Sequence, residues 1–179
     1  MTAAPVEQPR HPDASLARGL LRWHFQIAHA LLDHAIDRLP LEVVNRCPAG
    51  SDVSAGVRYA QVVFREDLSV NGVLGAGKPL ALSTWSGRTG LSEIPPLLPG
   101  PEDWRAWAHR VRLDPNRLRA YARAVYASTD AYIAALADEA LDLKRVETPV
   151  CLLSALLFSV SKQRGEICSL LALSCRRRG

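Results

Sequence analysis

The sequence lacks an apolar run long enough to span a bilayer, and residues 1–12 lack the charged-then-apolar pattern of a signal peptide. Its four cysteines form no C-x-x-C pair and have no zinc-finger spacing, so we interpret them as small apolar residues. These absences predict a reduced, cytoplasmic protein that is not inserted in a membrane.

Lysine is nearly missing: Lys78, Lys144 and Lys162 are the only three, and the net charge of +4 comes from arginine. The basic residues are scattered along the predicted helices rather than gathered with interleaved aromatic residues, which argues against nucleic-acid binding. Part of the excess lies in the arginines at 176–178, which are typical of a solvated terminus.

What the sequence does contain fits one ordinary domain of 179 residues with 48% hydrophobic and 22% charged residues. Residues 1–12 are rich in Pro and Ala and predict a flexible arm. Asp13 is a good N-cap, so we place the folded domain at residues 13–175 and a basic tail at 176–179.

Helical periodicity dominates the chain, and no strand pattern or internal repeat is present. The first helix is predicted from Ala14 to Leu39, before Pro40, and the second from Ser54 to Leu74, after a Pro/Gly/Ser/Asp cluster. The inward stripe of the first helix is predicted as Leu16, Leu20, Ile27, Ala28, Leu31, Ala35 and Leu39.

Glycines and prolines between residues 75 and 101 predict a long connection, in which the segment 84–90 is a candidate lid. A short helix is expected at 102–111, a third long helix from Asp114-Pro115 to about Leu136, and a last helix from Pro149 to about Leu173. The predicted fold class is all-α: a four-helix bundle with a long crossover loop between helices two and three.

Some polar side chains fall on the predicted inward faces. His24 lies at the centre of the first helix's stripe, whereas His29 and His34 fall on the opposite face and are expected at the solvated surface. The other inward polar residues are Asp67, Asn71, Ser159 and Gln163.

Buried polar groups must be hydrogen-bonded together or face a cavity. Two interpretations therefore stay open for this set. One is a structural network in which Asp67 bonds a loop, and the other is a ligand pocket.

The stretch 59–74 resembles the second helix of the DinB-like superfamily, and Gln-Arg-Gly-Glu-Ile at 163–167 resembles a His-Arg-Gly-Glu-Ile run in its last helix. The segment 85–90 and the helix from Tyr121 to Tyr132 extend the similarity over nearly the whole chain after Asp13. The resemblance implies the DinB-like type of four-helix bundle.

Members of that superfamily typically bind zinc or nickel through one histidine on helix two and a His-x-x-x-His pair on the last helix. The matching positions here hold Gln61, Ser159 and Gln163, whose neutral oxygens are weak ligands for such metals. We therefore expect no metal and no cofactor.

The resemblance points to small molecules, and we favour a metal-independent pocket that binds or converts a specialised metabolite by cyclisation, isomerisation or hydrolysis. In that hypothesis His24 or Asp67 handles a proton and Gln163 polarises a carbonyl. Gln61, Asn71, Ser159, Trp85 and Arg88 contact the substrate, with the last two at the mouth.

Two alternatives stay open. One is a non-catalytic binding or scaffold protein. The other is a mycothiol- or bacillithiol-dependent transferase, which the missing metal disfavours because the metal would activate the thiolate. Members of the superfamily tend to dimerise through helices, so a homodimer is among the partners that the resemblance implies.

Overall fold

The computed structural model describes residues 14–37, 41–97, 100–141 and 148–175, and all regular structure in these ranges is helical. The arm predicted at residues 1–12 and the tail predicted at 176–179 lie outside the described residues. Within them, no helix combines the length and the apolar character that crossing a membrane requires.

Six α-helices follow one another in the described part of the chain. They are α1 (Ala14–Asp37), α2 (Leu41–Asn45), α3 (Ala55–Asp67), α4 (Pro101–Arg110), α5 (Pro115–Ala134) and α6 (Pro149–Cys175). The short α2 was not predicted, whereas the other five agree with the predicted helices to within a few residues, where the structure describes their ends. Short 3₁₀ turns occupy Leu80–Leu82 and Asp138–Leu141.

The predicted second helix contains a change of helix type. After α3 the chain continues as a π-helical segment, Leu68–Leu74, which the sequence pattern did not predict. The N–H of Gly75 donates to the carbonyl of Val70 at 2.8 Å, a bond that spans five residues. A π-helical segment is uncommon and often occurs at functional sites.

Side-chain caps fix the start of two long helices. The hydroxyl of Ser54 accepts from the N–H of Val57 at 3.1 Å and so begins α3. Asp114 accepts from the N–H groups of Asn116 and Arg117 while Pro115 fills the first helical position, as the Asp-Pro pair predicts.

The four longest α-helices pack together, and α4 adds Trp107 to their core. α1 packs against α5 and α6, and α3 packs against the same two helices. The largest fully buried side chains are Trp107, Tyr59, Tyr121, Phe25 and Phe64. Burying each such side chain stabilises the fold by roughly 1.5–3 kcal/mol, so these residues dominate the packing energy.

The long connection after the π-helical segment is anchored to the helices. Leu91 forms an isolated antiparallel bridge with Leu113, and the indole N–H of Trp107 donates to the carbonyl of Glu93 at 3.1 Å. The connection is thus fastened to α4 and to the residues just before α5.

The predicted inward face of α1 is wrong. The structure buries Leu21, Phe25, Ala28, Leu32 and Ile36, and of the described members of the predicted stripe only Ala28 is buried. Both sets have helical spacing, but the side chains of α5 and α6 pack on the set that begins with Leu21. His24 is therefore exposed and His29 is buried, the reverse of the prediction.

Candidate functional site

The predicted site residue Asp67 is fully buried and accepts four hydrogen bonds. Oδ1 accepts from the side-chain amide of Asn71 and the N–H of Leu80, both at 2.8 Å. Oδ2 accepts from the N–H of Ala81 at 2.8 Å and the hydroxyl of Tyr121 at 2.7 Å. The carboxylate fastens the loop to α3 and α5, as the structural-network interpretation predicts.

Three other predicted residues are linked to this carboxylate directly or through Tyr121. The carbonyl oxygen of Asn71 accepts from the hydroxyl of Ser128 at 2.5 Å. Trp85 is half-buried with its ring 6.0 Å from that of Tyr121, and the guanidinium of Arg88 lies 5.6 Å above the Trp85 ring. Of the three, only Asn71 bonds Asp67 itself, whereas Trp85 lies near its partner Tyr121 and Arg88 lies over Trp85.

Gln61 occupies a different place, on the side of α3 that faces α6. Its Oε1 accepts from Arg58 at 3.0 Å, and Arg58 also pairs with Glu166 of α6 at 3.1 Å. Gln61 and Arg58 help to line an open cleft of about 380 Å³ together with Trp104 and the turn at 50–53.

Ser159 and Gln163 are half-buried one turn apart on α6 and do not line that cleft. Among the described residues, the buried Oε1 of Gln163 has no hydrogen-bond partner.

The donor atoms at Gln61, Ser159 and Gln163 do not fit a zinc or nickel site. Two amides and a hydroxyl carry no imidazole, thiolate or carboxylate, which are the ligands such ions select. Across the four described ranges, no three His, Cys, Asp or Glu side chains are grouped so that they could hold a metal ion.

A second buried polar cluster, which the sequence analysis missed, joins α1, α3 and α5. Nε2 of His29 lies 3.0 Å from each carboxyl oxygen of Glu66, and the hydroxyl of Thr129 donates to Oε1 of Glu66 at 2.6 Å. The Glu66 side chain is fully shielded from solvent. The imidazole is stacked on the ring of Tyr126, with centroids 3.7 Å apart and planes 10° apart.

Behind Tyr126 the same cluster continues to a second carboxyl group. The hydroxyl of Tyr59 donates to Oδ1 of Asp33 at 2.7 Å, and the hydroxyl of Tyr126 donates to the same oxygen at 3.3 Å. Burial raises the pKa of Asp33, and the hydrogen bond from Tyr59 opposes part of that rise. Burial and the nearby Asp33 raise the pKa of Tyr59, so its hydroxyl stays a proton donor.

The His29 cluster borders a cleft of about 280 Å³ between α1 and α5. The lining residues are Phe25, Gln26, His29, Tyr126, Ala127 and Asp130. At its edge Arg22 donates to both oxygens of Asp130, at 2.9 and 2.6 Å. This bidentate bond holds the pKa of Asp130 below its usual range.

The arrangement suits proton transfer. His29 combines three features of a general acid or base: a ring nitrogen bonded to a fixed carboxyl group, a ring orientation fixed by stacking, and a position in the wall of a cleft. Since most of the other lining is apolar, a ligand there would meet few competing polar groups.

One sequence signal could have revealed this cluster. Leu21, Phe25, Ala28, Leu32 and Ile36 form a second apolar stripe on α1, and stepping it at 100° per residue places His29 beside it. On α3, Glu66 follows Tyr59 by seven residues and so shares its face.

No family model matches the chain, and no curated protein matches it. Among solved structures, the crystal structure of a conserved protein of a locus from Enterococcus faecalis is similar, with a TM-score of 0.68 and 17% sequence identity. The similarity covers 87% of this chain and 95% of that chain. At this identity the match supports an all-helical fold of the same kind and carries nothing about ligand or activity.

Proposed function

We propose that the chain is a metal-independent member of the DinB-like superfamily, a cytoplasmic four-helix bundle that binds or converts a small molecule. The resemblance suggests a specialised metabolite as the ligand, and cyclisation, isomerisation or hydrolysis as the reaction. The observation that carries the proposal is His29, which lies in the wall of the cleft between α1 and α5 and is bonded to the fully buried Glu66.

The chemistry of the cleft favours proton transfer over covalent catalysis. Its described lining contains an imidazole, a carboxylate, an amide and two aromatic rings, but no serine, cysteine or lysine that could act as a nucleophile. Glu66 and Thr129 act as positioning residues for His29, which is the group placed to touch a ligand. Isomerisation needs a proton removed and returned, which one such base can do.

His29 takes the proton-handling role that the sequence suggested for His24 or Asp67. His24 is exposed to solvent, and all four bonds of Asp67 go to protein donors. Substrate contacts by Gln61, Ser159 and Gln163 remain a prediction for the α3–α6 side of the molecule.

A fragment screen observed by NMR tests the proposal directly. His29→Phe keeps an aromatic ring against Tyr126 but removes both ring nitrogens, and His24→Phe is the matched control on the same helix. We expect fragments that shift the amides of Gln26 and Ala127 to bind the control as they bind the natural chain. They should bind His29→Phe at least about ten-fold more weakly.

Equal binding to both variants would overturn the assignment of His29. A circular dichroism melt of each variant checks that weaker binding does not come from unfolding.

An exposed apolar face on α1 favours a second candidate, a protein that works through association, including a homodimer. Leu16, Leu20, Trp23, Ile27 and Leu31 share this face, and each residue is between 37% and 58% exposed. Such a contiguous face is typical of interaction surfaces. If two copies pair there, Ile27→Glu should convert a dimer to a monomer in analytical ultracentrifugation, whereas Gln26→Glu should not.

A further inference from the structure

A third cleft, of about 490 Å³, lies where α3 passes into the π-helical segment. It is larger than the clefts beside Gln61 and His29, and its volume is typical of small-molecule sites. Two polar residues, Arg65 and Ser69, line it, so we call it the Arg65 cleft. Its described apolar lining is Phe64, Leu68, Val73, Pro96, Leu97 and Trp104.

The π-helical geometry explains how one wall of the Arg65 cleft forms. Residues three or four apart share a face of an α-helix, so Leu68 and Val73, which are five apart, would point in different directions there. In the π-helical segment a backbone N–H bonds a carbonyl five residues back, and this wider turn brings residues five apart toward the same side. Both side chains line the cleft. The uncommon segment therefore produces an apolar wall.

This apolar wall is open to solvent. Val73 is 66% exposed and Leu97 is 47% exposed, although both border a concave surface. A ligand with an apolar body would remove these side chains from water, which the hydrophobic effect favours.

The charge of the Arg65 cleft is positive. Arg65 is the one charged residue in its described lining. The side chain of Arg65 is exposed and has no hydrogen bond or ion pair within the described part of the chain. Arg58 at the neighbouring cleft, by contrast, pairs with Glu166. The guanidinium of Arg65 can therefore turn toward a ligand without breaking an existing bond.

A second donor lies one turn further along. Ser69 follows Arg65 by four residues and so shares its face of the helix. Guanidinium N–H groups and a hydroxyl are both donors, and a carboxylate bonded to a guanidinium makes a strong, charge-assisted hydrogen bond.

We propose that the Arg65 cleft is a second binding site, which takes a small carboxylate with an apolar body, such as a medium-chain acid. The apolar body covers Leu68, Val73 and Leu97, and the carboxylate bonds Arg65. The site shares no residue with the cleft beside His29, so it stands or fails independently of the proposed function.

The probes are octanoate and octan-1-ol, which have chains of equal length and differ in charge, titrated at neutral pH and followed by NMR. We expect octanoate to shift the amides of Ser69 and Val73 and to bind about ten-fold more tightly than octan-1-ol. Arg65→Gln should remove this preference. Arg123→Gln, at an exposed arginine of α5 that does not line the cleft, should keep it.

Two further measurements keep the test independent of one variant. Added salt should weaken the binding of octanoate and leave that of octan-1-ol nearly unchanged. Val73→Ser, at an exposed position, should weaken both probes by a similar factor, because it shortens the apolar wall.

Three results would overturn the proposal. Equal binding of the two probes by the natural chain would show that the cleft does not select a charge. A preference for octanoate that survives in Arg65→Gln would show that Arg65 does not bind the carboxylate. Shifts confined to amides outside the lining would show that the probes bind elsewhere.

Discussion

Glu66 and Asp67 are neighbours at the end of α3, and both carboxyl groups are fully shielded from solvent. Asp67 is bonded to two backbone N–H groups, an amide and a tyrosine hydroxyl, and all four donate to it. Glu66 is bonded to a threonine hydroxyl and to a histidine that lines a cleft. Burial alone therefore does not distinguish a carboxylate that anchors the fold from one that positions a proton-transfer group, whereas the hydrogen-bond partners do.

The largest expected effect comes from Asp67→Asn. Whichever way the amide is turned, its NH₂ group faces the N–H of Leu80 or of Ala81, and two donors cannot bond. We expect the free energy of unfolding to fall by about 3 kcal/mol, because a buried N–H is left unsatisfied and the loop loses its anchor. Urea denaturation measures this.

The matched control for Asp67→Asn is Asp130→Asn, at a carboxylate that is about one-third exposed, which should change stability far less. If both substitutions cost the same, Asp67 does not anchor the loop.

The same isosteric change one residue earlier should have a smaller effect on stability. In Glu66→Gln the imidazole can donate to the amide oxygen or accept from the amide NH₂, because Nε2 lies 3.0 Å from both carboxyl oxygens of Glu66, so a bond between the two side chains survives. We expect a loss of about 1 kcal/mol by urea denaturation, the difference between a charged and a neutral hydrogen bond. A loss as large as that of Asp67→Asn would show that Glu66 is as structural as its neighbour.

The sequence predicted the helices well because clear start signals, such as Ser54 or the Asp114-Pro115 pair, precede the long helices. On α5 the apolar residues Leu118, Tyr121, Ala122 and Val125 have helical spacing and are all buried. That helix has a single apolar stripe, so periodicity alone identifies its inward side.

The site was harder to predict because α1 has two apolar stripes of similar quality. Periodicity cannot choose between them, since the choice depends on which side chains of α3, α5 and α6 lie opposite. Asp33 finds Tyr59, and His29 finds Glu66, only once the three helices have packed. The wrong choice exchanged His24 for His29 and so concealed the cluster.

For Asp67 the sequence predicted the burial but not the particular hydrogen-bond donors. The sequence placed it correctly on an inward face, but its partners come from a loop 13 and 14 residues further along the chain and from a tyrosine 54 residues away. No local pattern specifies which donors a buried carboxylate will meet. The sequence therefore predicted that Asp67 is buried, while its role as the anchor of the loop follows from tertiary contacts.

The smallest expected effect concerns Asp33, which lies behind Tyr126 and is only partly buried. Its pKa in the folded chain is raised above the value of 3.8 expected without burial, chiefly by desolvation. The folded state therefore binds the proton more tightly than the unfolded state does. Its contribution to stability is fully present below pH 3.8 and is lost as the pH rises through the folded pKa.

Asp33→Asn keeps an oxygen for Tyr59 and removes the titration. We expect its unfolding free energy to decline less than that of the natural chain as the pH is raised through this window, measured by urea titration at a series of pH values. Asp130→Asn should shift the profile in the opposite sense, because the lowered pKa of Asp130 gives stability above pH 3.8 that is lost as the pH falls. If the unfolding free energies of the two variants change with pH in the same way, then burial beside tyrosines and bonding by arginine do not shift the two carboxyl groups in opposite directions.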